Sequence, residues 1–281
     1  MMKRMTSPMR LATIVAAVVV YVGVTKAPPL SAAKKPTPIN ACGTYGKGDY
    51  ELDADLTAPS GTLTCLTFKR SDTTLDMKGH TLSCNPGLPF GNVLGIRALG
   101  GGSVITNGTV TNCQVGIELN GSGSHTLSNV TINNNCDGLH VESNGNVVST
   151  NDVSGNLCGG IIIEADNNTI DGNQVSNNAC HGIQIDSGGE LLSQGQKVVG
   201  VVNQIVQNNT VNNNGTVGFP DCGRGIVIYD DHNGLQTLNI VQNNTATGNI
   251  VLDLEDEHVA CDTNTWTGNT FGTASPASCI K

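Results

Sequence analysis

One phrase recurs along this chain at a nearly constant interval. It reads Cys113-Gln114-Val115-Gly116-Ile117-Glu118-Leu119, then Cys136-Asp137-Gly138-Leu139-His140-Val141, Cys158-Gly159-Gly160-Ile161-Ile162-Ile163 and Cys180-His181-Gly182-Ile183-Gln184-Ile185. After a longer gap comes Cys222-Gly223-Arg224-Gly225-Ile226-Val227-Ile228. The first four cysteines lie 23, 22 and 22 residues apart. Such a period marks a solenoid, in which each repeat buries its apolar side only by stacking on its neighbours. Functional residues must then be sought in columns that run across the repeats.

Within each phrase apolar residues alternate, as in Leu139/Val141 and Ile183/Ile185. Period two is the strand period: these residues face one way and their neighbours the other. Between phrases, Asn-rich segments such as Asn146-Val147-Val148 and Asn151-Asp152-Val153 carry a second and a third short strand. The expectation is an all-β chain, a single solenoid with three short strands per coil of about 22 residues. Aromatic residues make up 3% of the chain and Gly numbers 35. A core of large rings is therefore excluded, and stacked Ile, Val and Leu must do the burying.

Residues 1–33 read as an export signal: Lys3, Arg4 and Arg10, an apolar run from Leu11 to Val24, then Ser31-Ala32-Ala33. The run is too short for a stable membrane span, which needs roughly 20 residues. The mature chain is expected to be secreted or periplasmic, with a linker at 34–41 and the solenoid over 42–281, closed by an N-terminal cap and a disulfide-bonded C-terminal tail. Ten cysteines suit that compartment. Cysteines at equivalent strand ends would stack about 4.8 Å apart, within reach of a disulfide. Sequential pairing follows as Cys84–Cys113, Cys136–Cys158 and Cys180–Cys222, with Cys42–Cys65 in the cap and Cys261–Cys279 in the tail. The alternative is a ladder of buried free thiols. A formal charge of −9 argues against nucleic acid, which requires a basic face.

Asn runs such as Asn133-Asn134-Asn135 and Asn212-Asn213-Asn214 suit turns, because Asn tolerates left-handed backbone, and they can bond along the stack as ladders. The same runs create N-x-Thr matches at Asn107, Asn129, Asn167, Asn208, Asn214 and Asn243, read here as turn and ladder positions rather than glycosylation sites. Segments 187–202 and 216–221 read as loops over one face.

The phrase Leu75-Asp76-Met77-Lys78-Gly79-His80-Thr81-Leu82, with the G-I-x-I coils, resembles the right-handed parallel β-helix proteins of the pectate-lyase-like and polygalacturonase-like superfamily. The resemblance spans about residues 42 to 270 and implies a right-handed winding. It leaves activity open among uronan lyases, epimerases, hydrolases, adhesins and non-catalytic modules.

Numbered from the glycine of each phrase, positions one and three point inward and two and four outward. Position two reads Arg97, Glu118, His140, Ile162, Gln184, Val227. Position four reads Leu99, Asn120, Glu142, Glu164, Asp186, Tyr229, then Asp253. Stacked carboxylates repel unless a proton, a cation or solvent relieves them. Glu142, Glu164 and Asp186 are the expected ligands of a Ca²⁺ ion, their oxygens matching its preference; a solvated acidic face is the alternative. The turn row reads Asp137, Gly159, His181, Arg224. It is similar to part of the polygalacturonase-like pattern, but Gly159-Gly160 stand where that pattern has two carboxylates, which weighs against hydrolysis. β-Elimination from a uronan needs a base, an acid and a positive partner for the substrate carboxylate. His140 or His181 is expected as the base, with Asp137 and Arg224 completing the catalytic group and Arg97, Glu118, Gln184 and Tyr229 contacting substrate. The partner implied is a polysaccharide or cell-surface glycan, met by a monomer; a purely binding or structural solenoid is the alternative function. His125 reads as a solvent-facing turn residue, Asp230, Asp231 and His232 with Asp253, Glu255, Asp256, Glu257 and His258 as a charged cap, with weak cation binding as the alternative, and Trp266 as a cover for the last coil.

Overall fold

The computed structural model describes residues 35–84, 93–186, 200–216, 221–230 and 236–281. The expected leader, Asp231 and His232 of the expected cap, and most of the two expected loops lie outside these residues. The described chain winds into stacked coils, each contributing one short strand to each of three faces. Every strand pairs in parallel with its equivalent on the next coil. The first face is a ten-stranded sheet that begins at Gly43–Tyr45 and contains Val115–Leu119, Asp137–Val141, Ile161–Ile163, Ile183–Ile185 and Arg224–Ile228. The other two faces form one continuous sheet, because Val104–Thr111 and Thr126–Asn133 each run unbroken from one face to the other. The only helical segment among the described residues is a 3₁₀ turn at Val259–Cys261.

Inside, the alternation read from the sequence is realised as columns of aliphatic side chains. Ile96, Ile117, Leu139, Ile161, Ile183, Ile226 and Leu254 stack along the first face, all fully buried. Each such residue contributes roughly 1.5–3 kcal/mol relative to exposure, so this column fills a narrow interior with aliphatic side chains, while buried rings stand nearer the ends at Phe68 and Trp266. Residues 37–39, read as part of a linker, instead form a strand paired with Tyr50–Leu52. Ile39 is buried there: one alternating apolar residue is enough to extend the stack and cover its first coil.

Three ladders of buried amides occupy the corners. Asn146, Asn168, Gln204, Asn239 and Asn264 make the first; Asn151, Asn173, Asn209, Asn244 and Asn269 the second; Asn135, Asn156, Asn178, Asn214 and Asn249 the third. Asn156 shows the pattern. Its carbonyl accepts from the main-chain N and Nδ2 of Asn135, at 3.1 Å each, and its Nδ2 donates to Ile132 O at 3.1 Å and Asn178 Oδ1 at 2.9 Å. His125 belongs to the first ladder rather than to solvent. Its N–H donates to Asn146 Oδ1, its Nδ1 accepts from the Ser103 N–H, and it is fully buried. The Asn214 sequon lies inside the third ladder, while Asn107, Asn129, Asn167, Asn208 and Asn243 hold left-handed turns, with φ between 55° and 62°.

Two ladders end on carboxylates. Asp253 Oδ1 accepts from Asn249 N and Nδ2 at 3.1 and 2.9 Å, and Asp256 Oδ2 accepts from Asn264 Nδ2 and Trp266 Nε1 at 3.1 and 2.9 Å. Asp253, Asp256 and His258 are therefore interior groups, not the charged outer cap expected. Trp266 does cover the last coil, buried against that carboxylate.

The five disulfides are those expected: Cys42–Cys65, Cys84–Cys113, Cys136–Cys158, Cys180–Cys222 and Cys261–Cys279. No described cysteine is free. Beside them runs a glycine column set by close approach. A Cβ at Gly138 would sit 2.6 Å from Val153 Cγ1 and 2.7 Å from Gly160 O. Gly138→Ala is expected to lower stability by about 2–3 kcal/mol through this overpacking, read from the midpoint of denaturant unfolding. An unchanged midpoint would show that the coils can separate.

Candidate functional site

The outer surface of the first face carries the expected residues in the expected columns, with one shift. Position two places Arg97, Glu118, His140, Ile162, Gln184 and Val227 on successive coils. Position four continues Asn120, Glu142, Glu164, Asp186 and Tyr229, each joined through its N–H to the preceding coil. The register Val227↔Glu255 and Ile228↔Asp256 then makes Glu257 the next member, not Asp253. Asp253 falls in the glycine column, where it ends an amide ladder.

Arg97 and Glu118 pair at 2.7 Å, with Glu118 nearly buried. Asn120 Nδ2 links Glu118 Oε1 at 2.8 Å to Glu142 Oε2 at 2.6 Å. His140 lies between two carboxylates, its Nδ1 3.3 Å from Glu142 Oε1 and its Nε2 3.4 Å from Asp137 Oδ2. The second distance is an ion-pair approach without hydrogen-bond alignment. Burial by itself would depress the His140 pKa, but the Asp137 and Glu142 carboxylates outweigh it and raise it to about 10. Glu164, on the next coil, is held above the usual carboxylate range by burial, against the pull of His140, with Glu142 and Asp186 adding repulsion. Gln184 Nε2 donates to Asp186 Oδ2 at 2.8 Å. Asp137 Oδ1 also accepts from the Gly159 N–H at 2.8 Å, so the turn glycine anchors the carboxylate that would otherwise swing free.

Two coils on, a second group forms around His181. Its Nδ1 accepts from the Arg224 N–H at 3.2 Å, which leaves Nε2 to carry the ring proton toward Tyr229 Oη at 2.6 Å. Burial and then the Arg224 charge lower the His181 pKa to about 4, so the ring is neutral. The Tyr229 hydroxyl is pushed up to about 12 by burial, partly offset by Arg224 and reinforced by nearby carboxylates. The Arg224 guanidinium lies 5.9 Å from the Tyr229 ring centre and is bound by Glu255 through Nε, with Glu257 at 3.9 Å. Both glutamates were read from the sequence as members of a charged cap rather than as partners of Arg224, although the alternation through Leu254 and Glu255 carries the signal once the register is known.

The expectation that His140 acts as a base does not fit its surroundings, because a group with a pKa near 10 already holds its proton at neutral pH. His140, Glu142 and Glu164 offer donor atoms within 4.8 Å of one another, and Asp186 is not in that group. A protonated His140 supplies positive charge to the Asp137 and Glu142 carboxylates beside it. The arrangement is an internal ion-pair network. A His raised above its unfolded value of 6.5 contributes stability that is complete below pH 6.5 and lost as pH climbs through about 10. Thermal melting of the wild type and His140→Gln is therefore expected to show a gap that is widest near pH 6 and closes toward pH 10. A gap independent of pH would remove the ion-pair account.

A family model described as a right handed beta helix region matches residues 94–272, well over half of the chain. The chain belongs to this family. Other β-helix proteins of known structure superimpose on it across most of its length. They include the Dettilon tailspike protein (TM-score 0.53, 14% identity, 84% of this chain and 54% of that one) and the pectate lyase Pel9A (0.57, 14%, 84% and 64%). The A-module of the Azotobacter vinelandii mannuronan C-5 epimerase AlgE6 is a third (0.53, 15%, 85% and 84%). This β-helix thus spans between half and two thirds of the first two proteins' length. At these identities the likeness concerns the fold. No curated protein sequence matches the chain.

Proposed function

We propose that the first face binds a polyuronate chain outside the cytoplasm and removes the proton from the carbon beside the uronate carboxylate, leading to β-elimination or C5 epimerisation. Two structural neighbours have names that assign them to pectate and mannuronan, both polyuronates. Five disulfides suit an oxidising compartment.

The observation that carries the reading is the 2.6 Å contact between Tyr229 Oη and His181 Nε2, with the ring held by the Arg224 main chain. A hydroxyl that receives a hydrogen bond from a neutral imidazole and lies near a guanidinium can carry negative charge briefly. As tyrosinate, Tyr229 takes the C5 proton. The C4–O bond then breaks, a C4=C5 double bond forms, and the tyrosine proton passes to the leaving oxygen. His181 acts here as a positioning residue, while His140 brings positive charge to the part of the face where the substrate carboxylate lies, beside Glu164, whose carboxyl burial holds above the usual range. No step requires a metal ion. Chelation is expected to leave turnover unchanged within about twofold, and a loss of tenfold or more on chelation would show that a metal supplies the missing charge. The test of the function itself is incubation with pectate, alginate and neutral polysaccharides, read by the ultraviolet absorbance of unsaturated uronides and by NMR of C5 configuration. Inertness toward every uronan would end this reading.

One observation favours a second reading, a non-catalytic glycan-binding surface. Arg97, His140 and Arg224 are each already paired with carboxylates, which suits a neutral, hydroxyl-rich chain. Binding to neutral polymers without turnover would select it.

A further inference from the structure

The first face is not uniformly acidic along its length. Its position-four column begins one coil before Leu99 with Lys69, whose N–H donates to Tyr45 O as Leu99 N does to Phe68 O. Arg70 follows at the turn. Both side chains are exposed, and no carboxylate pairs with either among the described residues. Arg97 stands one coil on at position two, more than a third exposed despite its bond to Glu118. Lys47 borders Arg70 across a surface depression of about 480 Å³ lined by Gly46, Lys47, Arg70, Ser71 and Asp72, with Asp72 bound to Lys47 at 2.8 Å. In a chain with 23 acidic and 14 basic residues, four of the basic ones thus gather at one end of one face.

The turn that presents them is fixed from below. Thr73 is buried and its hydroxyl donates toward Arg70 O at 2.8 Å, with Gly46 O at 3.2 Å. Asp72 N donates to Gly101 O at 2.9 Å, and Gly100 packs so tightly that a Cβ there would lie 2.1 Å from the Arg70 main chain. The basic groups therefore project from a rigid base, which reduces the ordering cost of engaging a ligand.

We infer that Lys69 and Arg70, with Arg97, form an anchoring subsite for the carboxylates of an anionic polysaccharide that extends along the first face toward Tyr229. The inference rests on the polyuronate reading above and adds to it a second contact region and a minimum length. From Lys69 the column passes Leu99, Asn120, Glu142, Glu164 and Asp186 before Tyr229, six steps of about 4.8 Å, or roughly 29 Å. An extended sugar chain advances about one ring per such step, so a ligand of about seven rings bridges both regions while one of three does not. Between them Glu118 is paired with Arg97 and Glu142 with His140, and Asn120 bonds both carboxylates, which offsets part of the acidic charge along the path. Leu99, half-buried in the same column, offers apolar surface to a ring.

The test compares wild type, the double variant Lys69→Glu with Arg70→Glu, and Tyr229→Phe. Binding to defined oligogalacturonates and oligomannuronates of three and eight rings is measured by calorimetry at about 20 mM and about 0.5 M salt. The expected result is that the wild type binds the octamer at least about tenfold more tightly than the trimer at low salt, and that the double variant loses this gain while trimer binding is unchanged. Tyr229→Phe is expected to keep the gain. If the wild type binds octamers and the charge reversal leaves affinity unchanged, the anchoring subsite is overturned and the polyuronate reading stands. If the wild type binds no polyuronate of either length, both fall. Because Lys69 and Arg70 are exposed, unaltered melting temperature is the check that the double variant is folded.

Discussion

Asn156→Ala is expected to lower stability by about 3–5 kcal/mol, as is the same change at the equivalent ladder positions Asn173, Asn178, Asn209 and Asn214. Truncation removes four buried hydrogen bonds at once, although Asn178 Oδ1 keeps the Asn156 main-chain N–H and Asn135 Nδ2 keeps Val110 O. The two N–H donors of Asn135 lose their acceptor, and Ile132 O and Asn178 Oδ1 each lose a donor. An unsatisfied buried polar group costs roughly 1–3 kcal/mol, and a water entering the vacated space would recover part of the total. The sequence around Asn156 is otherwise unremarkable, so the size of the effect measures the ladder itself. Gln174→Ala, at an exposed strand position, is the matched control and is expected to change stability by less than about 0.5 kcal/mol. Equal urea midpoints for the two variants would show that the amides are replaceable space-fillers.

The second large effect concerns chemistry. Tyr229→Phe removes one oxygen and is expected to reduce kcat on a uronan substrate by about 10²- to 10⁴-fold, the range attributed to a positioned acid–base group. Stability should fall by about 1 kcal/mol from loss of the hydrogen bond to His181. With a hydroxyl pKa of about 12, the reactive tyrosinate is scarce at neutral pH. Wild-type kcat is therefore expected to rise about tenfold per pH unit through the mildly alkaline range. Retention of turnover by the phenylalanine variant would move the proton transfer to another residue, with Glu164 next on the face.

Most of the architecture could be read before the coordinates, because a solenoid translates sequence distance directly into spatial adjacency. The interval between Cys136 and Cys158 gives a coil, the alternation of Leu139 and Val141 gives the inward column, and the half-cystine pairs follow. What escaped the sequence escaped for one physical reason: polar residues that face inward break the rule that interior means apolar. Asp256 occupies an inward strand position beneath Ile228, so alternation shifted the acidic column to Asp253 and hid Glu257 beside Arg224. His125 was assigned to solvent on the same premise, although its ring and main chain stand in for a ladder amide. The candidate site was legible as a set of columns but not as roles. His140 and His181 look alike in sequence, yet two flanking carboxylates keep one charged while burial and Arg224 keep the other neutral.

The aspartates that terminate two amide ladders give the stack a direction. Within each ladder the main-chain N–H of an amide residue and one of its side-chain N–H groups point to the side-chain oxygen of the next coil, and a carboxylate can receive these but has no side-chain N–H to pass on. Additional modules copied from the central coils could thus be spliced upstream of Asn249 without exposing a broken chain of donors, whereas a module appended after Glu257 would meet an acceptor facing an acceptor. A coil added between existing ones keeps all three ladders continuous, and one placed beyond Asp253 and Asp256 breaks two of them.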